Sequence, residues 1–545
     1  MFTFAPRTRS TGLLEPGRRR GPRPSSLRPL LFVVLIAGLV AAGVAGVHWW
    51  SGRDDARLAA ATGFARAWGQ RDLRAMWERL DDAAQRRYPY ARFAAAYRSA
   101  ERAATVTGVR VGRRGPLRGG RVTVPVTVTT RLFGTLRGDV ALPVAEQGGH
   151  AGVAWTPGLR LPGLRDGERV RRRNGPWPKR GAVLAADGGR LDRDAEGAAL
   201  AGRAPSGSDL GSGLERAFDA RLAGSPEAQL RFGSRVIARV PERRGRPVRT
   251  TIRLGLQRQA LAALGGKLGG VAVVRPRTGD VLALAGLASS APQPPGSTFK
   301  IVTLATALQA GIARPSSSYP VRSYAVLSGV KLRNASDELC GGSLATSFAH
   351  SCNSVFAPLG ARLGARRLSR AAAAFGFGEQ PRIPGAKPST IGADLRDDLA
   401  VGATAIGQDR DLATPLQMAG VGATIATGGV RAQPRIARVQ PVRRRPVVSR
   451  RVARQVRRMM LGVVRSGTGV AAALPGVEIA GKTGTAELRP TAGGAPDPRN
   501  TDAWFVAFAP AGRPQVAVAV MLVGAGAGGA AAAPVARRVL QAALR

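Results

Sequence analysis

A chain of 545 residues is too long for one ordinary domain, and at roughly 150 residues per unit it suggests about three or four. An apolar share of 44% allows sizeable cores, and a formal charge of +48 invites a nucleic-acid partner. The basic runs Arg171-Arg172-Arg173 and Arg443-Arg444-Arg445 flank turn-like segments without interleaved aromatics, so no nucleic acid is expected and a basic surface facing an anionic wall or membrane is preferred.

Residues 1–28 are rich in Arg, Pro and Ser, lack an apolar period and read as a cytoplasmic basic tail. Residues 29–50 read as a transmembrane anchor. Leu30 to Val47 is continuously apolar or small and closes on His48-Trp49-Trp50, about the length that spans a bilayer as a helix. Arg18, Arg19, Arg20, Arg23 and Arg28 precede it and hold that side in the cytoplasm. A cleaved signal peptide competes with this reading, but the run is long for one. Either way the remainder is exported, so the expectation is a single-pass protein of the inner (plasma) membrane with its catalytic part outside.

Residues 51–154 open with helical patterning at Leu58, Ala61, Phe64, Ala65 and Trp68, then at Met76, Trp77 and Leu80. Period-two runs follow at Val122, Val124, Val126, Val128 and at Val140, Leu142, Val144. Helices followed by a meander imply a small α+β domain. Phe64-Ala65-Arg66-Ala67-Trp68 and Trp155-Thr156-Pro157 resemble the NTF2-like N-terminal domain of penicillin-binding proteins of the methicillin-resistance type, which implies a link to antibiotic resistance.

Residues 155–250 are Gly-, Pro- and Arg-rich and read as a β-rich linker or dimerisation-type domain. Arg180-Gly181-Ala182-Val183-Leu184 through Asp187-Gly188 resembles the Arg-Gly-x-Ile signature of the class B linker domain. It departs from that signature at Ala185-Ala186, where the family has Asp-Arg. The plainer reading is a turn between two strands.

Residues 251–545 change texture. Leu256-Gln257 opens a helix; Val271–Val274 and Val281–Leu284 pair across the Arg277–Asp280 turn. Helices are expected from 297 to about 420. Strands return at Val477–Ile479, Trp504–Ala509 and Val516–Val523. Strands at both ends with helices between them imply one sheet closed by the chain ends and covered by helices. Cys340 and Cys352 lie close enough for a disulfide, yet two unpaired thiols remain equally open.

Three short motifs carry chemistry. Pro295-Gly296 is a breaker before a helical apolar pattern, so Ser297 sits at a helix start and Lys300 lies one turn on, on the same face. A serine hydroxyl needs a base, and a lysine serves only when neutral, which burial and a neighbouring cation favour. Ser351-Cys352-Asn353 offers a hydroxyl and a carboxamide. In Lys482-Thr483-Gly484-Thr485 a strand would point Lys482 and Gly484 to one face and the threonines to the other, with the glycine admitting close approach. Of 82 basic residues only six are Lys, and Lys300 and Lys482 are two of them. Arg cannot be deprotonated in a protein, so a titratable amine has been kept where a base is needed. Ser328-Gly329-Val330-Lys331 also fits S-x-x-K but leads into a loop and is read as chance. No metal-ligand spacing and no Walker-type loop occur, so neither metal nor cofactor is expected.

Together S-x-x-K, S-x-N and K-T-G resemble the set that marks penicillin-binding proteins and serine β-lactamases. Thr414-Pro415-Leu416-Gln417-Met418-Ala419 and the paired Ala480–Glu487 and Ala503–Pro510 segments are similar to the family's flanking text. The resemblance implies the α+β transpeptidase fold, an antiparallel sheet with helices on both sides, and a D,D-transpeptidase with possible D,D-carboxypeptidase side activity. Ser297 would attack a D-Ala-D-Ala stem peptide, Lys300 would take its proton, and Ser351 and Asn353 would relay protons and bind the peptide amide. Lys482, Thr483 and Thr485 would hold the terminal carboxylate, with Gly484 in the substrate-binding strand. The N–H groups of Ser297 and Thr485 would form the oxyanion hole. Stem peptides, β-lactams and a polytopic membrane glycosyltransferase are the implied partners. A serine β-lactamase is the nearest alternative, but no Glu-x-x-x-Asn segment supplies a deacylation base. A non-catalytic β-lactam-binding homologue has the same motifs. The 28-residue tail is short for a signalling module, and residues 53–150 are too few for a glycosyltransferase domain.

Overall fold

The computed structural model describes residues 53–147, 150–488 and 497–545. The expected tail and membrane anchor, residues 1–50, lie outside these residues, and among the described residues no helix is long and apolar enough to cross a membrane. The chain forms two compact units.

The first unit comprises the described residues up to Pro176 together with Glu227–Pro241. A helix over residues 53–70 buries Ala61, Phe64, Ala65 and Trp68, a stripe at helical spacing. Tyr90–Ala104 buries Phe93, Tyr97, Ala100 and Ala104, and ends at Thr105 in the left-handed region. Arg121–Thr130 alternates buried and exposed residues, and its four inward valines face the same core. It pairs antiparallel with Val106–Val111 and Thr135–Gln147. Trp155 closes this core with its ring 4.8 Å from Phe93 and 4.9 Å from Tyr88.

The segment 155–250, expected as one linker domain, is divided between the units. Val170–Asn174 pairs with Ala228–Phe232, which pairs with Arg235–Val240, and Leu230 and Phe232 bury in the first unit's core. Val183, Leu191, Leu214, Leu222 and Val248 instead bury in the core of the second. Burial of two separate apolar sets assigns the pieces.

The second unit, Trp177–Pro226 and Glu242–Arg545, is built on a five-stranded sheet. Its order is Val281–Gly286, Gly269–Val274, Val516–Leu522, Thr501–Ala509, Ala480–Glu487, and every pair is antiparallel. The two chain ends thus meet side by side in the sheet, as the sequence implied. The strands Thr501–Ala509 and Val516–Leu522 are buried throughout, which explains their unbroken apolar text. Helices Leu254–Leu264 and Ala532–Leu544 pack on one face and Lys300–Gln309, Pro415–Ala426 and Arg450–Ser466 on the other. Ala480–Glu487 is the edge strand, paired on one side only among the described residues. The helical stretch from 297 to 420 is interrupted by a hairpin, Tyr324–Leu327 against Val330–Arg333. Ser328 and Gly329 turn it with φ of +48° and +80°, so the second S-x-x-K copy is a hairpin turn.

Candidate active site

Pro295 ends the preceding segment, and Gly296–Phe299 makes one tight turn that runs into the helix Lys300–Gln309. Gly296 adopts φ +52°, and a Cβ there would meet the Thr485 carbonyl oxygen at 2.6 Å. Glycine is required on both counts. Its N–H donates to the carbonyl of Gly407 at 2.9 Å. Ser297 is thereby held against the edge strand Ala480–Glu487. It is half-buried, and its hydroxyl has no hydrogen-bond partner among the described residues.

Gly484 permits this approach. A Cβ on it would lie 2.8 Å from the Pro295 carbonyl oxygen, 2.8 Å from Thr298 Cγ2 and 2.9 Å from Trp504 Cβ. The strand alternates as expected. Lys482 and Gly484 face the nucleophile turn, while Thr485 Oγ1 accepts from the Gly528 N–H at 3.3 Å and Thr483 Oγ1 meets Thr468 Oγ1 at 2.6 Å.

Both amines are fully buried. Lys300 Nζ donates to the Ser351 carbonyl and to Asn353 Oδ1, each at 2.6 Å, with Ser351 Oγ at 3.4 Å. Lys482 Nζ donates to Ser351 Oγ at 2.8 Å and to the Thr483 carbonyl at 3.0 Å. The Ser351 hydroxyl therefore stands between the two amines. Asn353 is fixed at both ends, since its Nδ2 donates to the Arg333 carbonyl at 2.7 Å. The rings of Phe356 and Phe348 lie 5.6 Å from Lys300 Nζ and Lys482 Nζ respectively.

Burial, and then the charge of Lys482, holds Lys300 well below the usual amine value of 10.5. Burial alone pushes Lys482 down to about 7. A neutral amine has two N–H donors and one lone pair. The two short bonds of Lys300 use its donors and leave the lone pair to take a proton.

Ser351 has φ +65°, the left-handed region that a non-glycine residue rarely adopts. What holds it is a disulfide joining Cys352 to Cys340, with Cα atoms 5.5 Å apart, so the question left open by spacing is settled. Cys352 N–H also donates to the Ser347 carbonyl at 2.9 Å, and Asn353 begins the next helix.

Lys300, Ser351, Asn353 and Lys482 thus form one hydrogen-bonded group, beside the turn that bears Ser297 and the strand that bears Thr483, Gly484 and Thr485. Sequence reading missed Thr468, Gln408 and the two phenylalanines. Gln408 Nε2 approaches the Thr485 carbonyl at 3.5 Å. Phe348 and Phe356 lie three residues either side of the S-x-N motif, a spacing that does not by itself mark a ring as bordering an amine. For Thr468 the only signal was the Gly467-Thr468-Gly469 triplet. Among the described residues no cluster of His, Cys, Asp and Glu could hold a metal.

The penicillin binding protein transpeptidase domain family matches residues 269–541. Peptidoglycan D,D-transpeptidase PbpA of Mycolicibacterium smegmatis is 37% identical over 402 residues, 61% of this chain and 80% of that protein. The crystal structure of PBPA from Mycobacterium tuberculosis superposes with a TM-score of 0.57 at 30% identity, over 68% of this chain and 100% of that one. The penicillin G acyl-enzyme complex of M. tuberculosis penicillin-binding protein A gives the same TM-score, identity and coverage.

Proposed function

The chain belongs to the penicillin-binding protein transpeptidase family, and we propose that Ser297 is the nucleophile with which this class B D,D-transpeptidase cross-links peptidoglycan. Ser297 Oγ attacks the carbonyl of the D-Ala-D-Ala bond in a stem peptide while the Lys300 lone pair takes its proton. The N–H groups of Ser297 and Thr485 receive the developing oxyanion, a contribution of about 3–4 kcal/mol per well-placed donor. The departing D-Ala amine takes a proton through Ser351, which borders both lysines. The amine of a second stem peptide then attacks the acyl-enzyme, forms the new amide and releases Ser297. Lys482, when protonated, attracts the terminal carboxylate. Thr485 Oγ1 accepts from Gly528 and keeps its own O–H to donate, and one hydroxyl of the Thr483–Thr468 pair has the same freedom. β-Lactams acylate the same serine.

The observation that carries this reading is the fully buried Lys300 amine with two 2.6 Å acceptors in the S-x-N motif. Its test is intact mass after incubation with penicillin. One adduct is expected, absent in Ser297→Ala, and an adduct of equal yield in that variant would refute the assignment. Steady-state nitrocefin hydrolysis separates the β-lactamase alternative: a stoichiometric burst with slow turnover is expected.

The remaining features rest on sequence text. The first unit's helices and antiparallel meander support an NTF2-like domain of the methicillin-resistance type. The apolar run Leu30–Val47 behind its arginines supports a single-pass membrane anchor with the enzyme outside, tested by protease protection in spheroplasts. A polytopic glycosyltransferase is the expected partner, tested by co-purification from membranes.

A further inference from the structure

A cavity of about 1,100 Å3 opens where the helix Leu254–Leu264 begins, beside the C-terminal helix Ala532–Leu544. None of its lining residues belongs to the site described above. Arg253, Arg275, Arg435, Arg438, Arg538 and Arg545 line it, against the side-chain carboxylates of Asp187 and Asp280. Asp280 is spent on Arg435 at 2.6 Å, and Asp187 accepts from the Gly189 N–H at 3.1 Å. The other five guanidiniums have no carboxylate partner among the described residues. Arg253 and Arg438 each reach a main-chain carbonyl only at 3.4 Å, Arg538 reaches that of Ala263 at 2.8 Å, and the Arg275 guanidinium makes no hydrogen bond among the described residues.

A chain with this surplus of arginine must leave many unpaired on its surface. The surplus does not account for their convergence on one concavity from four places: a helix start, the turn after the strand Gly269–Val274, the segment after Val430–Ala432, and the last helix. Like charges gathered in a recess repel, and an anion relieves that cost. The floor adds a second attraction. The helix Leu254–Leu264 has no side-chain cap, and the N–H groups of Leu254, Gly255 and Leu256 have no acceptor among the described residues. Beside them Gly255 leaves room, because nothing lies within 4 Å of the position a Cβ would take.

We propose that this cavity binds a phosphate-bearing anion, a diphosphate or phosphodiester group. Planar guanidiniums grip phosphate oxygens two at a time, and free N–H groups at a helix start complete the cradle. The volume, just above the roughly 300–1,000 Å3 of small-molecule sites, suits a headgroup rather than a protein segment. The inference uses no residue of the transpeptidase assignment and stands without it.

Calorimetric titration of the full chain with inorganic pyrophosphate, at about 0.15 M salt to screen the general surface charge, tests the proposal. Saturable binding to one site is expected. Arg275→Ala with Arg438→Ala weakens it about tenfold or more. Gly255→Glu abolishes it while leaving the fold intact, since an acid is welcome in a helix's first turn. Penicillin acylation stays at wild-type rate in both variants and reports that they fold. Equal pyrophosphate binding by wild type and Gly255→Glu, or no binding at all, would overturn the site. Equal binding of citrate would overturn the phosphate class. Phosphatidylglycerol vesicles distinguish the source: sedimentation with vesicles that is lost in Gly255→Glu and competed by pyrophosphate assigns a lipid headgroup. Vesicle binding unchanged in that variant, alongside lost pyrophosphate binding, assigns a soluble phosphate.

Discussion

Ser351 Oγ accepts from Lys482 at 2.8 Å and lies 3.4 Å from Lys300, so the two amines are chemically linked through one hydroxyl. Both ionise less readily in the folded protein than the ordinary lysine at 10.5. The unfolded chain therefore binds more protons in the interval between the folded and unfolded values, and stability rises with pH across it. For Lys482 that interval runs from about 7 to 10.5. Lys482→Met removes one titrating amine, so the gain in urea midpoint between neutral and alkaline pH should be smaller in the variant than in wild type. Equal gains would show that the amine is not held neutral by burial. Asn353→Ala removes one of the two short acceptors of Lys300 and unpairs the Arg333 carbonyl; the penicillin acylation rate should fall by about 10²- to 10⁴-fold, the usual range for disturbing a general base. The motif residues were legible because their side-chain types are dictated by the reaction, and lysine stands out in an arginine-rich chain. Phe348, Phe356 and Thr468 were not legible, since rings and hydroxyls serve many ends and only proximity assigns them one.

At the level of elements, the second motif is held by a cross-link between the short strand Cys340–Ser343 and the start of the helix Asn353–Leu363. The cysteines are 12 residues apart, and closing a loop of such length stabilises by about 3 kcal/mol in the chain-entropy account. Replacing both by serine should lower the denaturant midpoint accordingly and also slow acylation, because Ser351 loses a support of its left-handed backbone. An unchanged midpoint would mean that the local hydrogen bonds suffice. Spacing alone left this pairing undecided, because proximity in sequence does not fix the direction of two Cβ atoms. Strand boundaries show the same limit. The edge strand starts at Ala480, after an isolated bridge between Leu474 and Val477 across Pro475-Gly476, whereas apolar text alone placed strand from 477. The hairpin at 324–333 escaped because its strands are short and half-exposed. Its Ser328-Gly329 turn is the local signal that, weighed against the surrounding helical pattern, would have revealed it.

For the molecule as a whole, the chain crosses between its two units at 176/177, 226/227 and 241/242. Composition could not reveal this, because the Gly-, Pro- and Arg-rich text of 155–250 is uniform while the fate of each apolar residue within it depends on which core it enters. Deleting residues 53–176 alone would strand the hairpin Ala228–Val240, whose Leu230 and Phe232 are fully buried in the first unit's core. Two large apolar side chains would then face water, each losing on the order of 2 kcal/mol of burial, and the product should aggregate. Removing Glu227–Pro241 as well avoids that exposure. The closure is geometrically available within the second unit, because Ser225 and Arg243 exchange backbone hydrogen bonds of 2.8 and 2.9 Å. A two-residue Asn-Gly turn fits between paired residues of this kind. The shortened chain, residues 177–225 joined through that turn to 243–545, retains the sheet, the helices and every residue of the candidate site. It should remain monodisperse in size-exclusion chromatography and form the penicillin adduct at Ser297 at a rate within about threefold of the full chain, since every residue of the site lies within the second unit. A soluble product that fails to acylate would show that the first unit contributes to the catalytic geometry, and the site would then belong to the whole chain rather than to the second unit.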